Sequence, residues 1–80
     1  MERKLIFDEP ALQAFALRLK TVRKQKKLTQ EDLAAKSGLT LSQIARIETA
    51  RTNPTLSTIF RIIRTMEIRP SELFDFDLPD

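Results

Sequence analysis

The chain has 80 residues, enough for one small domain, and a formal charge of +3 at pH 7. It contains no cysteine and no histidine, which excludes disulfides, thiolate metal sites and the usual neutral-pH general base. Its single glycine excludes the glycine-rich phosphate loops of nucleotide enzymes. No apolar run approaches the roughly 18 residues of a membrane span, and the first ten residues lack the apolar core of a signal peptide. We therefore expect a cytoplasmic protein that is not an enzyme and has no cofactor, membrane association or evident small-molecule ligand.

The charges are distributed unevenly along the chain. Residues 18–27 carry six positive side chains and no acidic one, whereas residues 67–80 carry five acidic side chains against one arginine. This asymmetry suits a domain that turns one side towards a polyanion such as nucleic acid. The same charges would also keep helices hydrated, so charge alone leaves both interpretations open.

The first predicted helix spans about residues 10–26. Proline is favoured in the first helical turn, where its missing N–H is not needed, and Pro10 occupies that position. From Leu12 to Val22, apolar residues recur at spacings of three and four, which is the stripe of an amphipathic helix. The basic cluster falls in the last turns, where cations meet the negative end of the helix dipole.

Threonines mark the starts of the next three helices. Thr29 is followed by Asp32, and Thr40 by Gln43, in the spacing of a capping box. Thr55 precedes another apolar stripe. These signals predict helices at about residues 30–36, 41–49 and 56–66.

A fifth, short helix is predicted at about residues 70–75, with Pro70 in its first turn. We identify no convincing strand and no repeat, so the predicted fold class is all-α.

Gly38 lies between two of the predicted short helices. Helices commonly end on a residue of positive φ, which glycine adopts without a Cβ penalty. Two helices joined at a steep angle by a three- or four-residue turn with glycine form a helix-turn-helix. Leu33 on the first helix, Leu39 in the turn, and Ile44 and Ile47 on the second would supply its apolar inner face.

The second helix of this motif has a polar outer face. Ser42, Gln43 and Arg46 offer a hydroxyl, an amide and a guanidinium, which are groups that read base edges in a major groove. No acidic residue lies between Thr40 and Ile47. This face therefore favours DNA as the partner.

These motifs resemble the Cro/cI-type helix-turn-helix family, also called the XRE family. The matching segments are "TQEDLA", "SGLTLSQIARIE", "NPTLSTIFRII" and "PSELF", within about residues 12–74. The resemblance implies a compact five-helix, lambda-repressor-like DNA-binding domain with a central helix-turn-helix. We expect this domain at residues 10–76, between an N-terminal extension at 1–9 and an acidic tail at 77–80, with any mobility concentrated in these termini.

The resemblance also implies which residues contact DNA. In the family, the glutamine that begins the second helix contacts a DNA phosphate and the third helix lies in the major groove. The loop that follows runs along the DNA backbone. The start of the fourth helix favours phosphate through its free amides. The implied set is Gln30, Thr40, Leu41, Ser42, Gln43, Arg46, Arg51, Thr52, Asn53 and Thr55.

Two further features of the family concern the fold. Arg23 and Glu48 match a pair that forms a salt bridge between the first and third helices. Glycine is common in the family where Lys27, Ala50 and Glu67 stand here. These helix ends must close without it, at a cost of about 1 kcal/mol wherever a positive φ is retained.

The function that the resemblance implies is a sequence-specific regulator of transcription that binds double-stranded DNA. Such proteins bind palindromic operators as dimers, with two recognition helices about 34 Å apart. We expect a homodimer through the C-terminal helix and tail, at Leu73, Phe74, Phe76 and Leu78. A repressor, a restriction controller and an antitoxin remain open, as does a protein-interaction module that retains the fold.

Overall fold

The computed structural model describes residues 6–80, and within this range the regular secondary structure is helical throughout. Residues 1–5 of the expected N-terminal extension lie outside the described part. The helices are α1 (Glu9–Gln25), α2 (Gln30–Ser37), α3 (Leu41–Glu48), α4 (Leu56–Met66) and α5 (Pro70–Leu73). The predicted all-α class and helix order are confirmed, although α5 is a single turn and ends earlier than predicted. None of these helices combines the length and the apolar character that crossing a bilayer requires.

The helix starts are fixed by side-chain caps. The Thr29 hydroxyl accepts the Asp32 N–H, and the Asp32 carboxylate accepts the Thr29 N–H, both at 2.9 Å. The hydrogen bond from the Thr29 backbone lowers the pKa of Asp32. The charged cap therefore stabilises the fold at neutral pH, and this contribution is lost as the pH falls through the lowered pKa.

Two further predicted caps are present, and α1 has a cap that the sequence pattern did not indicate. Thr40 and Gln43 form a second capping box, and Thr55 accepts the N–H of Thr58 at 3.2 Å. The α1 helix begins at Glu9 rather than Pro10, because the Asp8 carboxylate accepts the Ala11 N–H at 3.1 Å. Asp8 thus caps α1, and Glu9 is its first residue.

Within residues 6–80, four residues adopt positive φ where the chain turns after a helix. Gly38 has φ 78°, and Lys27, Ala50 and Glu67 have φ 58°, 58° and 56°. The glycine-poor turns therefore keep the left-handed conformation that glycine adopts more readily.

The core lies where α1 meets α3 and α5, and where α2 meets α3 and α4. Leu19, Leu33, Ile44, Ile62 and Leu73 contribute its largest fully buried side chains. Because Leu73 has no exposed surface, its predicted role in a dimer contact is wrong. Its place is in the core of the monomer.

A buried ion pair crosses this core. Arg23 on α1 donates to both carboxylate oxygens of Glu48 on α3, from Nε to Oε2 at 2.6 Å and from Nη2 to Oε1 at 2.9 Å. Its Nη1 donates to the carbonyl of Leu28 at 2.8 Å. The hydrogen bonds with Glu48 raise the pKa of Arg23 above its usual value, even though burial opposes the charged form. The salt bridge implied by the family resemblance is confirmed.

Glycine is expected to stabilise the strained turns whose side chains are exposed. Lys27→Gly and Glu67→Gly should each raise the free energy of unfolding by about 0.5–1 kcal/mol, because relief of left-handed strain exceeds the entropy that glycine adds to the unfolded chain. Gly38→Ala should lower it by about 1 kcal/mol, since an added Cβ would also lie 3.2 Å from Nη1 of Arg61. Urea denaturation measures all three, and equal effects at the three positions would contradict this assignment of strain.

Removing one partner of the buried ion pair should destabilise the fold more than replacing both partners with apolar residues. Arg23→Met should lower the free energy of unfolding by about 3–5 kcal/mol, because the Glu48 carboxylate would stay buried without a positive charge beside it. The double variant Arg23→Met/Glu48→Leu should lose less than Arg23→Met alone. The control is Arg18→Met, which removes a 3.9 Å contact with exposed Asp75 and a hydrogen bond to the Glu72 carbonyl. It should cost about 1 kcal/mol. A double variant with a lower free energy of unfolding than Arg23→Met would refute the desolvation argument.

Candidate nucleic-acid interface

The turn between α2 and α3 is held from several sides. Gly38 ends α2 in the left-handed conformation and donates its N–H to the Ala34 carbonyl at 3.0 Å. The buried Ser37 hydroxyl donates to the same carbonyl and accepts the Leu39 N–H at 3.2 Å. From α4, Nη1 of Arg61 donates to the Ser37 carbonyl at 3.1 Å. These contacts hold the turn between the two helices. Together, α2, this turn and α3 form the predicted helix-turn-helix.

The two faces of α3 differ as predicted. Ile44, Ile47 and Glu48 are buried against the rest of the domain. Leu41, Ser42 and Arg46 are exposed on the outer side. The inner side of α3 is therefore packed against the domain and its outer side is accessible to solvent. A helix needs this arrangement to enter a DNA groove.

Two of the predicted contact residues at the start of α3 also cap that helix. The Thr40 hydroxyl accepts the Gln43 N–H at 3.0 Å, and Oε1 of Gln43 accepts the Thr40 N–H at 2.8 Å. Gln43 therefore has its carboxamide Nε2 left as a donor, since that group makes no hydrogen bond within residues 6–80. The Thr40 hydroxyl accepts one hydrogen bond in the cap and keeps its O–H as a donor, so both side chains have a donor left for a partner.

Gln30 has a structural contact that the sequence did not indicate. Its Nε2 donates to Oε1 of Glu48 at 3.0 Å, and the side chain is half-buried. A carboxamide nitrogen carries two hydrogens, so one remains for a phosphate oxygen. The residue expected to contact phosphate is thus oriented by the same carboxylate that binds Arg23.

The loop after α3 brings several of the predicted contact residues beside that helix. Arg51 and Asn53 are exposed, and Thr52 is half-buried. A pocket of about 190 Å³ lies between α3, this loop and the start of α4, and its lining includes Gln43, Arg46 and Thr52. Polar groups of α3 and of the loop therefore share one surface.

Thr55 cannot offer its hydroxyl freely, because that group caps α4. Its Oγ1 accepts the Thr58 N–H at 3.2 Å and lies 3.1 Å from the Thr58 hydroxyl. This end of α4 can still present its first backbone N–H groups to an anion.

The basic run at residues 18–27 is only partly available to a polyanion. Arg23 is buried with Glu48, and Arg18 donates from Nε to the Glu72 carbonyl at 2.8 Å. Lys24, Lys26 and Lys27 are exposed at the C-terminal end of α1. The two arginines hold the fold together, and the lysines provide the accessible positive charge.

Comparisons with known proteins agree with this geometry. The helix-turn-helix family model matches residues 19–73. The immunity repressor protein of Bacillus phage phi105 is 43% identical over 56 residues, which cover 70% of this chain and 39% of the repressor. The chain therefore spans well under half of that relative's length.

Solved structures of restriction-modification controller proteins have the same fold. C.AhdI from Aeromonas hydrophila superposes with a TM-score of 0.76 at 38% identity, covering 79% of this chain and 96% of that one. The C.Esp1396I tetramer in complex with its natural 35 base-pair operator gives a TM-score of 0.75 at 32% identity, covering 81% and 86%. The family match, together with the α2–turn–α3 geometry, shows that this chain belongs to the helix-turn-helix family that its sequence resembles.

Proposed function

We propose that this chain is a sequence-specific regulator of transcription that binds a palindromic double-stranded DNA operator as a homodimer. The observation that carries the proposal is the outer face of α3, which is exposed and free of acidic residues. The opposite side of this helix packs on the domain through buried Ile44 and Ile47. A helix presented in this way can enter a major groove. In this role the chain performs no catalysis and acts by occupying DNA in the bacterial or phage-infected cytoplasm.

Each contact residue has a role that fits its surroundings. Ser42, Gln43 and Arg46 face base edges, with Gln43 using its free Nε2 and Arg46 suited to guanine. Gln30 and the loop residues Arg51, Thr52 and Asn53 contact phosphate. Leu41 lies on the base-facing side, and Thr40 and Thr55 act through the helix starts that they cap.

The named relatives support this proposal. One is an immunity repressor of a phage, and one controller protein is seen as a tetramer on its operator. The exposed polar face of α3 gives this chain a surface suited to contact with DNA.

The homodimer contact is proposed at the C-terminal tail. Phe74 and Phe76 pack on Phe15, with ring centroids 5.4 and 6.3 Å away, and Phe74 and Leu78 are 43% and 71% exposed. These side chains line an apolar cleft of about 320 Å³ together with Leu56. A second copy that covers this cleft would remove exposed apolar surface from water.

The DNA-contact assignment is tested by selecting binding sites from random duplex DNA and then measuring variants on the selected operator. Arg46→Ala should weaken binding by about 5- to 100-fold, as expected for loss of a bidentate guanine contact. The matched control is Arg64→Ala, which removes an exposed arginine at the end of α4. Thermal melting confirms folding. Equal binding by wild type and Arg46→Ala would refute the assignment, and a failure to select any motif would refute the proposed function.

The dimer surface is tested by placing a charge in the apolar cleft. Leu78→Asp should raise the dimer dissociation constant at least tenfold in sedimentation experiments, because a carboxylate would have to be desolvated at the contact. Leu17→Asp is the control, since Leu17 is 66% exposed on α1 and lies outside the cleft lining. Equal effects of the two changes would contradict the C-terminal contact.

A further inference from the structure

Leu41 is an exposed apolar side chain that packing within the monomer does not account for. It is the first residue of α3 and is 46% exposed, whereas Ile44 and Ile47 of the same helix are buried. Several other exposed large apolar residues, including Leu56, line the apolar cleft beside Phe74 and Phe76. Leu41 does not line that cleft and instead lies on the outer face of α3.

The position of Leu41 is rigidly set by its neighbours. The capping box between Thr40 and Gln43 spans it, with hydrogen bonds of 2.8 and 3.0 Å on either side. Ser37 and Arg61 hold the turn that precedes it. Its backbone is therefore fixed, and only the side-chain rotamer can adjust to a partner.

The chemistry of the major groove limits what such a side chain can recognise. Leucine neither donates nor accepts a hydrogen bond, so it gains only by covering apolar surface. Among the groups that base pairs present in the major groove, the apolar one is the C5-methyl group of thymine. Residues at the N-terminal end of a recognition helix are those that meet base edges.

We infer that Leu41 is a specificity-determining residue that packs on the C5-methyl group of a pyrimidine in each operator half-site. This inference rests on the proposed function, since it requires α3 to lie in the major groove. Thymine carries this methyl group in ordinary DNA, and 5-methylcytosine presents the same group. The neighbouring Ser42 and Gln43 then supply the polar readout at adjacent positions.

The test removes the methyl group without changing base pairing. Each thymine of the selected operator is replaced in turn by uracil, in both half-sites, and binding is measured by a filter or fluorescence assay. Wild type should lose about fourfold in affinity per half-site at one thymine, as expected for one methyl group returned to water. Leu41→Ala should bind more weakly but show no loss at that position.

Matched controls separate the contribution of Leu41 from that of its neighbours on α3. Ser42→Ala should keep the full uracil effect, which shows that the effect belongs to Leu41 rather than to any change on this helix. With a cytosine–guanine pair at the same position, methylation of the cytosine at C5 should restore part of the binding by wild type and none by Leu41→Ala. Circular dichroism melting checks that both variants remain folded.

The outcomes are distinguishable. An equal uracil effect in wild type and Leu41→Ala at every thymine would overturn the role of Leu41 and leave operator binding intact. If no operator is selected and binding does not weaken with salt, both this inference and the proposed function fail.

Discussion

The ion pair between Arg23 and Glu48 ties α3 to α1 inside the core. Gln30 adds α2 to the same carboxylate. Pairs of this kind are weak contributors to net stability, because desolvation offsets much of their attraction. Their directional hydrogen bonds allow fewer arrangements than apolar contact does. We interpret this network as the device that fixes the orientation of α3.

The recognition surface and the fold share side chains. Gln43 caps α3 through Oε1 and leaves Nε2 for a partner, and Gln30 binds Glu48 with one amide hydrogen and keeps another. In the proposed complex with DNA, such residues would already be oriented before binding, which lowers the entropy cost of binding. Substituting Gln30 or Gln43 would remove a hydrogen bond of the fold together with the proposed contact, whereas Ser42 and Arg46 project from a helix held by other residues.

The distribution of left-handed residues shows why glycine is kept at one turn. Lys27 and Glu67 have exposed side chains, so their turns bear only the intrinsic cost of a Cβ at positive φ. At Gly38 an added Cβ would also lie 3.2 Å from the arginine that holds the turn. The glycine therefore occurs where both penalties coincide, between the two helices of the motif.

Local chemistry in the sequence was sufficient to predict the helices and the outer face of α3. The caps at Thr29, Thr40 and Thr55 act over three residues, and the exposure pattern of α3 follows from helical periodicity. Only the tertiary structure decided that Leu73 is buried while Phe74 is exposed, because one helical turn shows no periodicity. It also decided the bonds from Gln30 to Glu48 and from Arg61 to Ser37, which join residues 18 and 24 positions apart. Such contacts depend on how helices pack, and no local pattern in the sequence encodes them.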